Sequence, residues 1–196
     1  REALHRLLDH YLHTAHLCDQ LLDLYHWVPL TLAPPRPGVT LARITGRAQS
    51  LAWFGREHRM LLRAVRLAAR SGFDTHAWQL AGASWGLLSQ EGRSDDQAAM
   101  HRVALEAAER LGDPAASAHA HVGLAQALIR LGQDGRSEAH LHQAQELFGG
   151  LGDHVGQGVC YIYLTVLKDR WGQYADGLRL SEEALRIYRA AGDRAG

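Results

Sequence analysis

The side chains of this sequence with the means to do chemistry are its 13 histidines, its two cysteines and its scattered arginines. His10, His13 and His16 stand near Asp9 and Asp19 in one helical stretch. His13 and His16 are three residues apart, so they share a helix face and could offer imidazole nitrogens to a metal. A structural zinc site wants four well-placed ligands, and the plainer reading is a histidine-rich face in water. Cys160 stands beside Tyr161 and Tyr163, with no base recognisable near it. A cysteine inside a helix is usually a small, inert hydrophobe. The chain contains no G-x-S-x-G, no H-E-x-x-H and no glycine-rich phosphate loop. Gly149-Gly150-Leu151-Gly152 is glycine-dense but follows a helical pattern, so it reads as a helix end. The expectation is a protein that is not an enzyme, with no catalytic residue, no metal and no cofactor.

The elements that must position these side chains announce themselves by repetition. Leu111-Gly112-Asp113 returns as Leu151-Gly152-Asp153 and again as Ala191-Gly192-Asp193, at steps of 40 (153 − 113 and 193 − 153). Each copy reads as a helix stop joined to a helix start. Glycine suits the left-handed position that ends a helix, and an aspartate after it can cap the next. Pro114 fits the first helical position of the following element. Other columns keep the step: Ala104, Ala144 and Ala184; Ala107, Leu147 and Ile187; Ala108, Phe148 and Tyr188; Gly92, Gly132 and Gly172. Ala64, Leu67, Ala68 and Gly72 carry the pattern one step back, with Phe73 inserted before a capping Asp74. A fixed period of this size marks a helical repeat array.

In chain order, Leu4, Leu7, Leu8, Tyr11, Leu12, Ala15, Leu22 and Tyr25 predict an amphipathic helix over residues 2–26. Residues 1–28 form an N-terminal helical segment, and residues 29–45, rich in proline, a linker. A helix resumes after Thr45 as a fair N-cap and runs to Arg70, with Ala48, Leu51, Phe54, Leu61, Val65 and Ala68 on one stripe and Trp53 beside it. Gly55 weakens that helix by about 1 kcal/mol relative to alanine. Residues 46–196 then hold a half-repeat, 46–72, and three helical hairpins, 74–111, 113–151 and 153–191. Their first helices span about 75–90, 114–131 and 154–171, and their second about 94–110, 135–149 and 174–190. The expected fold is all-α, an α-α superhelix of stacked hairpins.

Composition narrows the function. Lys plus Arg equals Asp plus Glu at 21 each, so no cationic surplus drives binding to nucleic acid or to an anionic membrane. Cys18 and Cys160 are far apart and form no CxxC, which favours a reducing, cytoplasmic setting. No apolar run is long enough to span a membrane, and the first residues lack the form of a signal peptide. The chain opens inside a helical pattern, so it is expected to be part of a larger protein.

Two short helices, a glycine at the turn and an alanine at a fixed place in the second helix resemble the tetratricopeptide repeat, in its 40-residue variant, over about residues 46–193. A narrower resemblance rests on LHRLLDHYLHTA at 4–15, the proline-rich linker, RAQSLAWFGREHRMLLRAV at 47–65 and GFDTHAWQLA at 72–81. These look like the C-terminal array of actinobacterial regulators of the Streptomyces antibiotic regulatory protein and NB-ARC type. The resemblance implies a transcription regulator whose DNA-binding region and nucleotide-binding module lie upstream, with the helix at 2–26 bridging into the array.

Carried over through Gly92, Gly132 and Gly172, the resemblance assigns inner-groove positions. The binding candidates are Gln79, His119, Gln126, Arg130, Ile162, Val166, Asp169 and Arg170. Arg130 and Arg170 hold the same place in adjacent repeats, so two guanidiniums could clamp a carboxylate or an acidic peptide. Ile162 and Val166 would add an apolar floor. The alternative for each arginine is solvent, or a neighbour such as Asp169. The expected function is a protein- or peptide-binding sensor module of a regulator, its partner including the upstream nucleotide-binding module of the same chain. A freestanding interaction scaffold is the second reading, and a histidine-based metal protein or enzyme the third. The ends of the array offer a route to a homodimer.

Overall fold

A computed structural model describes residues 1–22, 30–190 and 192, and every regular element among them is a helix. Residues 23–26 of the expected first helix, residues 27–29 of the proline-rich stretch, and Ala191 and Asp193 of the last Gly-Asp joint lie outside the described residues. No helix among the described residues is long and apolar enough to cross a membrane. The chain forms two compact units, Arg1–Asp113 and Pro114–Gly196, divided at the first Gly-Asp joint.

The first unit contains α1 (Glu2–Leu21), α2 (Arg47–Arg70), α3 (Asp74–Ala83), α4 (Trp85–Gln90) and α5 (Ser94–Leu111). Leu8, Leu12, Ala15 and Cys18 recur at steps of three and four, and this stripe of α1 is buried. The helix packs against α2, α3 and α4. Residues 30–45 carry no helix and lie along α1, tied to its polar side chains. The Arg36 N–H donates to Asp9 Oδ2 at 2.8 Å, and the Ala42 N–H to Thr14 Oγ1 at 3.4 Å. His10 Nδ1 meets the Thr40 carbonyl at 2.6 Å. These bonds satisfy backbone groups that a proline-rich segment cannot pair within itself.

The α2 helix begins after Gly46, whose backbone is extended, while Thr45 turns its N–H and hydroxyl to the Gln49 side chain. Trp53 is buried together with Phe54, Leu61, Val65 and Ala68, whereas Ala48 is exposed. The stripe is rotated toward Trp53 because the large indole gains most from burial. Gly55 sits on the exposed face, and a methyl there would have open space around it. Gly55→Ala is therefore expected to stabilise the protein by about 1 kcal/mol and raise the thermal midpoint by roughly 2–4 °C in a melt followed by circular dichroism.

The helix expected over 75–90 is broken at Ser84 into α3 and α4. Gly82 and Gly86 flank a buried Ser84, and glycine–serine stretches are where helices kink. Leu30 fills the space beside Gly82, its Cδ1 3.4 Å from where a methyl would stand. Asp74 lies in the first turn of α3 with Phe73 at the cap, and its carboxylate pairs with Arg110 at 2.5 Å. It is thus not the cap its position after Gly72 predicts, because the inserted Phe73 takes that place.

The second unit is α6 (Pro114–Arg130), α7 (Asp134–Leu151), α8 (His154–Arg170) and α9 (Tyr174–Ala190). α6 pairs with α7, α8 with α9, and α8 packs on both members of the preceding pair. A 20-residue rhythm of left-handed glycines punctuates both units: Gly72, Gly92, Gly112, Gly132, Gly152 and Gly172, with φ between 63° and 72°. Around each, the following N–H reaches back to the carbonyl five residues earlier, as from Asp113 to Ala108, Gln133 to Leu128 and Asp153 to Phe148. This closes the exposed carbonyls at a helix end. Asp153 also caps α8, accepting from the Gly156 N–H at 2.9 Å. The columns at 64, 104, 144 and 184 and at 68, 108, 148 and 188 are buried in every copy.

Candidate functional site

The groove candidates do not form one cluster. In the first unit, Gln79 is buried and donates to the Thr31 carbonyl at 3.3 Å, so its amide fastens the 30–45 segment. In the second unit, α6 is buried on nearly every side. His119 stacks edge-on against Phe148, with ring centroids 5.2 Å apart. Gln126 is buried and bonds to Tyr163. Burial pushes the Tyr163 hydroxyl up to about 12, against the opposing pull of Arg130 and Gln126. Arg130 is exposed and stands in that tyrosine's field.

Arg170 is differently placed from its repeat partner. Its Nη1 donates to the Ile129 carbonyl at 2.6 Å and pairs with Asp134 Oδ1 at 3.2 Å, an ion pair whose angle falls short of a hydrogen bond. The neighbour it takes is Asp134 and not Asp169. Asp169 instead lies over the helix turn, where a methyl on Gly177 would come within 2.7 Å of its Oδ1. One arm of a two-guanidinium clamp is therefore already engaged within the fold.

Ile162 and Val166 lie elsewhere, on the open face of the last hairpin. With Thr165 from α8 and Ser181, Ala184, Leu185 and Tyr188 from α9, they line a groove of about 250 Å³. Ile162, Val166 and Leu185 are each about 40% exposed, high for branched apolar side chains (43%, 40% and 42%). Forty residues earlier, the same seven positions hold Val122, Ala125, Gln126, Leu141, Ala144, Gln145 and Phe148, all buried except Gln145, which is half-buried. There α8 fills the space. Leu164 and Leu167 join a core with Ala125, Ile129 and Leu141. Gly156 lets α8 approach the Phe148 ring so closely that a methyl at 156 would lie 2.5 Å from Cδ1. The α8–α9 groove lies at the equivalent register one repeat later.

The titratable groups of the first unit bring together residues that sequence spacing leaves apart. His5 and Asp9 of α1 meet His76 of α3. His76 Nε2 is 2.8 Å from Asp9 Oδ1, and His5 Nε2 is 3.7 Å from the same oxygen. Burial works to raise the buried Asp9 carboxyl, but the bonds from His76 and the Arg36 backbone outweigh it and hold it below its ordinary value. His13 and His16, expected to share a face, do not assemble with a third ligand among the described residues. The missed signal was the i, i+4 pair His5 and Asp9; the contribution of His76, 67 residues away, has no local signature. Cys18 and Cys160 are both buried, and burial pushes their thiols up to about 11 and about 12, so neither is a thiolate at neutral pH. No protein-family model, curated protein or solved structure matches this chain.

Proposed function

We propose that this chain is a non-catalytic, protein-binding helical-repeat module that receives an α-helix of a partner protein in the groove between α8 and α9. One observation carries the reading. The groove occupies the same register positions as a surface that the fold itself fills with a helix one repeat earlier, with Ala184 over Ala144 and Tyr188 over Phe148. Its walls are apolar, and its floor at Ala184 is an alanine in a column of alanines. Such a floor suits a helix with a Gly or Ala over Tyr188, as Gly156 of α8 lies over Phe148. The resemblance of residues 4–15, 47–65 and 72–81 to actinobacterial NB-ARC-type regulators favours a regulatory role, the helix being offered by a regulator's other module or its partner.

A direct test uses a fluorescein-labelled peptide of residues 153–170 carrying Cys160→Ser, the segment that fills the equivalent surface. Saturable micromolar binding to the whole chain is expected by fluorescence anisotropy. Val166→Glu and Leu185→Glu, both at exposed positions, should each weaken it at least tenfold by burying an unpaired carboxylate. Absent or unchanged binding overturns the reading. Self-association in sedimentation equilibrium that Val166→Glu abolishes would overturn it too, and assign the groove to a second copy of the chain.

A further inference from the structure

We infer that His5, Asp9 and His76 form a binding site for a zinc-class divalent cation that staples α1 to α3. Two imidazole nitrogens and one carboxylate oxygen lie within 4.8 Å of one another. A tetrahedral zinc ion with bonds of about 2.0–2.1 Å holds its ligand atoms about 3.3 Å apart. The two separations from Asp9 Oδ1, 2.8 Å and 3.7 Å, straddle that edge, and no pair in the set exceeds 4.8 Å, so closing it calls for side-chain rotations and no rearrangement of the helices. Two histidines and one carboxylate are a donor set of borderline softness, suited to Zn²⁺ and its late first-row neighbours over Mg²⁺ or Ca²⁺.

The competing account is a buried His–Asp pair that fastens two helices. That account rests on the His76–Asp9 bond at 2.8 Å; His5, packed edge-on against His76 at 4.8 Å between centroids, turns its Nε2 to the same carboxylate oxygen at 3.7 Å without bonding it. The arrangement around the three residues is that of a held ligand set. The Arg36 N–H takes Asp9 Oδ2, which leaves Oδ1 aimed at both imidazoles. Phe73 packs against both rings, with centroids 5.1 Å from His5 and 5.7 Å from His76. Backbone bonds to a ligating carboxylate and packing against ligating rings are what fix metal-ligand orientation. His5 and His76 keep partial solvent access, 24% and 14% of their side chains, so a fourth position is open to water.

The whole chain, stripped with EDTA, should take up one equivalent of Co²⁺ with a visible absorption band of low-symmetry, four- or five-coordinate cobalt, and one equivalent of Zn²⁺ in calorimetry. Zinc should raise its thermal midpoint, since an ion bound by the folded state alone stabilises it. His5→Gln and His76→Gln should each lower affinity at least tenfold and abolish the cobalt band, while His142→Gln, at an exposed position of α7, leaves both unchanged. Both site variants keep a side chain able to hydrogen-bond, and His5→Gln leaves the His76–Asp9 bond untouched, so folding can be verified by circular dichroism. No cobalt band, or metal uptake equal in the native chain and both site variants, overturns the inference.

Discussion

Phe148→Ala is expected to destabilise the second unit by about 3–5 kcal/mol, the range for removing a fully buried aromatic ring. The ring is 0% exposed. It supports His119 from one side and the backbone of α8 at Gly156 from another. Gly156→Ala should by itself cost about 1–3 kcal/mol, because its methyl would lie 2.5 Å from the ring and the helix would have to shift. The two losses should not add. Once the ring is gone, a methyl at 156 enters vacated space and gains the helix propensity of alanine, so the second substitution turns neutral or favourable. Urea unfolding of the two single variants and the double variant measures this, with a coupling of about 1–3 kcal/mol expected. Simple additivity would mean that α8 rests on something other than this contact, and the match between the filled surface and the α8–α9 groove would lose its basis.

That match also shows where sequence sufficed and where it did not. The left-handed glycines that end the helices and the buried alanine columns were legible because each repeats at 40 residues and each has a local cause: a positive φ at a helix end, a close helix contact. The break at Ser84 falls in a glycine–serine stretch whose apolar periodicity runs on across it, so the period alone gives one helix; the packing of Leu30 beside Gly82, a contact across 52 positions (82 − 30), has no local signature at all. The groove candidates scattered for a related reason. A register places a residue on a helix face, but whether that face is open depends on what packs there. Val122 and Ile162 are the same position, and one is buried while the other is 43% exposed. Long side chains are harder still: Arg130 and Arg170 share a column, yet Arg170 is drawn to Asp134, a residue neither adjacent nor in its own helix. The His5–Asp9–His76 cluster needs α1 to lie on α3, and nothing in the periodicity of either helix specifies that.

His101→Leu should raise stability near neutral pH by about 1–3 kcal/mol and remove much of the protein's sensitivity to mild acid. His101 is 4% exposed, and both of its ring nitrogens are buried without a hydrogen-bond partner. An imidazole in that state has lost its water and gained no replacement, so an apolar side chain of similar size is preferred there. Burial pushes His101 down to about 4, against an ordinary value of 6.5. Above about pH 6.5 neither the folded nor the unfolded chain holds that proton, and the group leaves stability unaffected by pH. Below 6.5 the unfolded chain binds a proton that the folded chain refuses until about pH 4. Stability therefore falls as the solution is acidified through that window, by about 1.4 kcal/mol per pH unit and on the order of 3 kcal/mol in all. His121, also pushed to about 4 by burial and by His140, acts in the same direction. Asp19 opposes both, since burial raises it to about 7 and its folded form keeps a proton that the unfolded chain has released. Both remain in the His101→Leu variant, so they cancel when its unfolding free energy is compared with that of the native chain between pH 4.5 and 7. The difference should widen steadily toward acid, because only the native chain carries the His101 imidazole, which must stay neutral. Parallel curves would show instead that water or a neighbouring side chain reaches the ring in solution, and that α5 opens around His101 more readily than its burial implies.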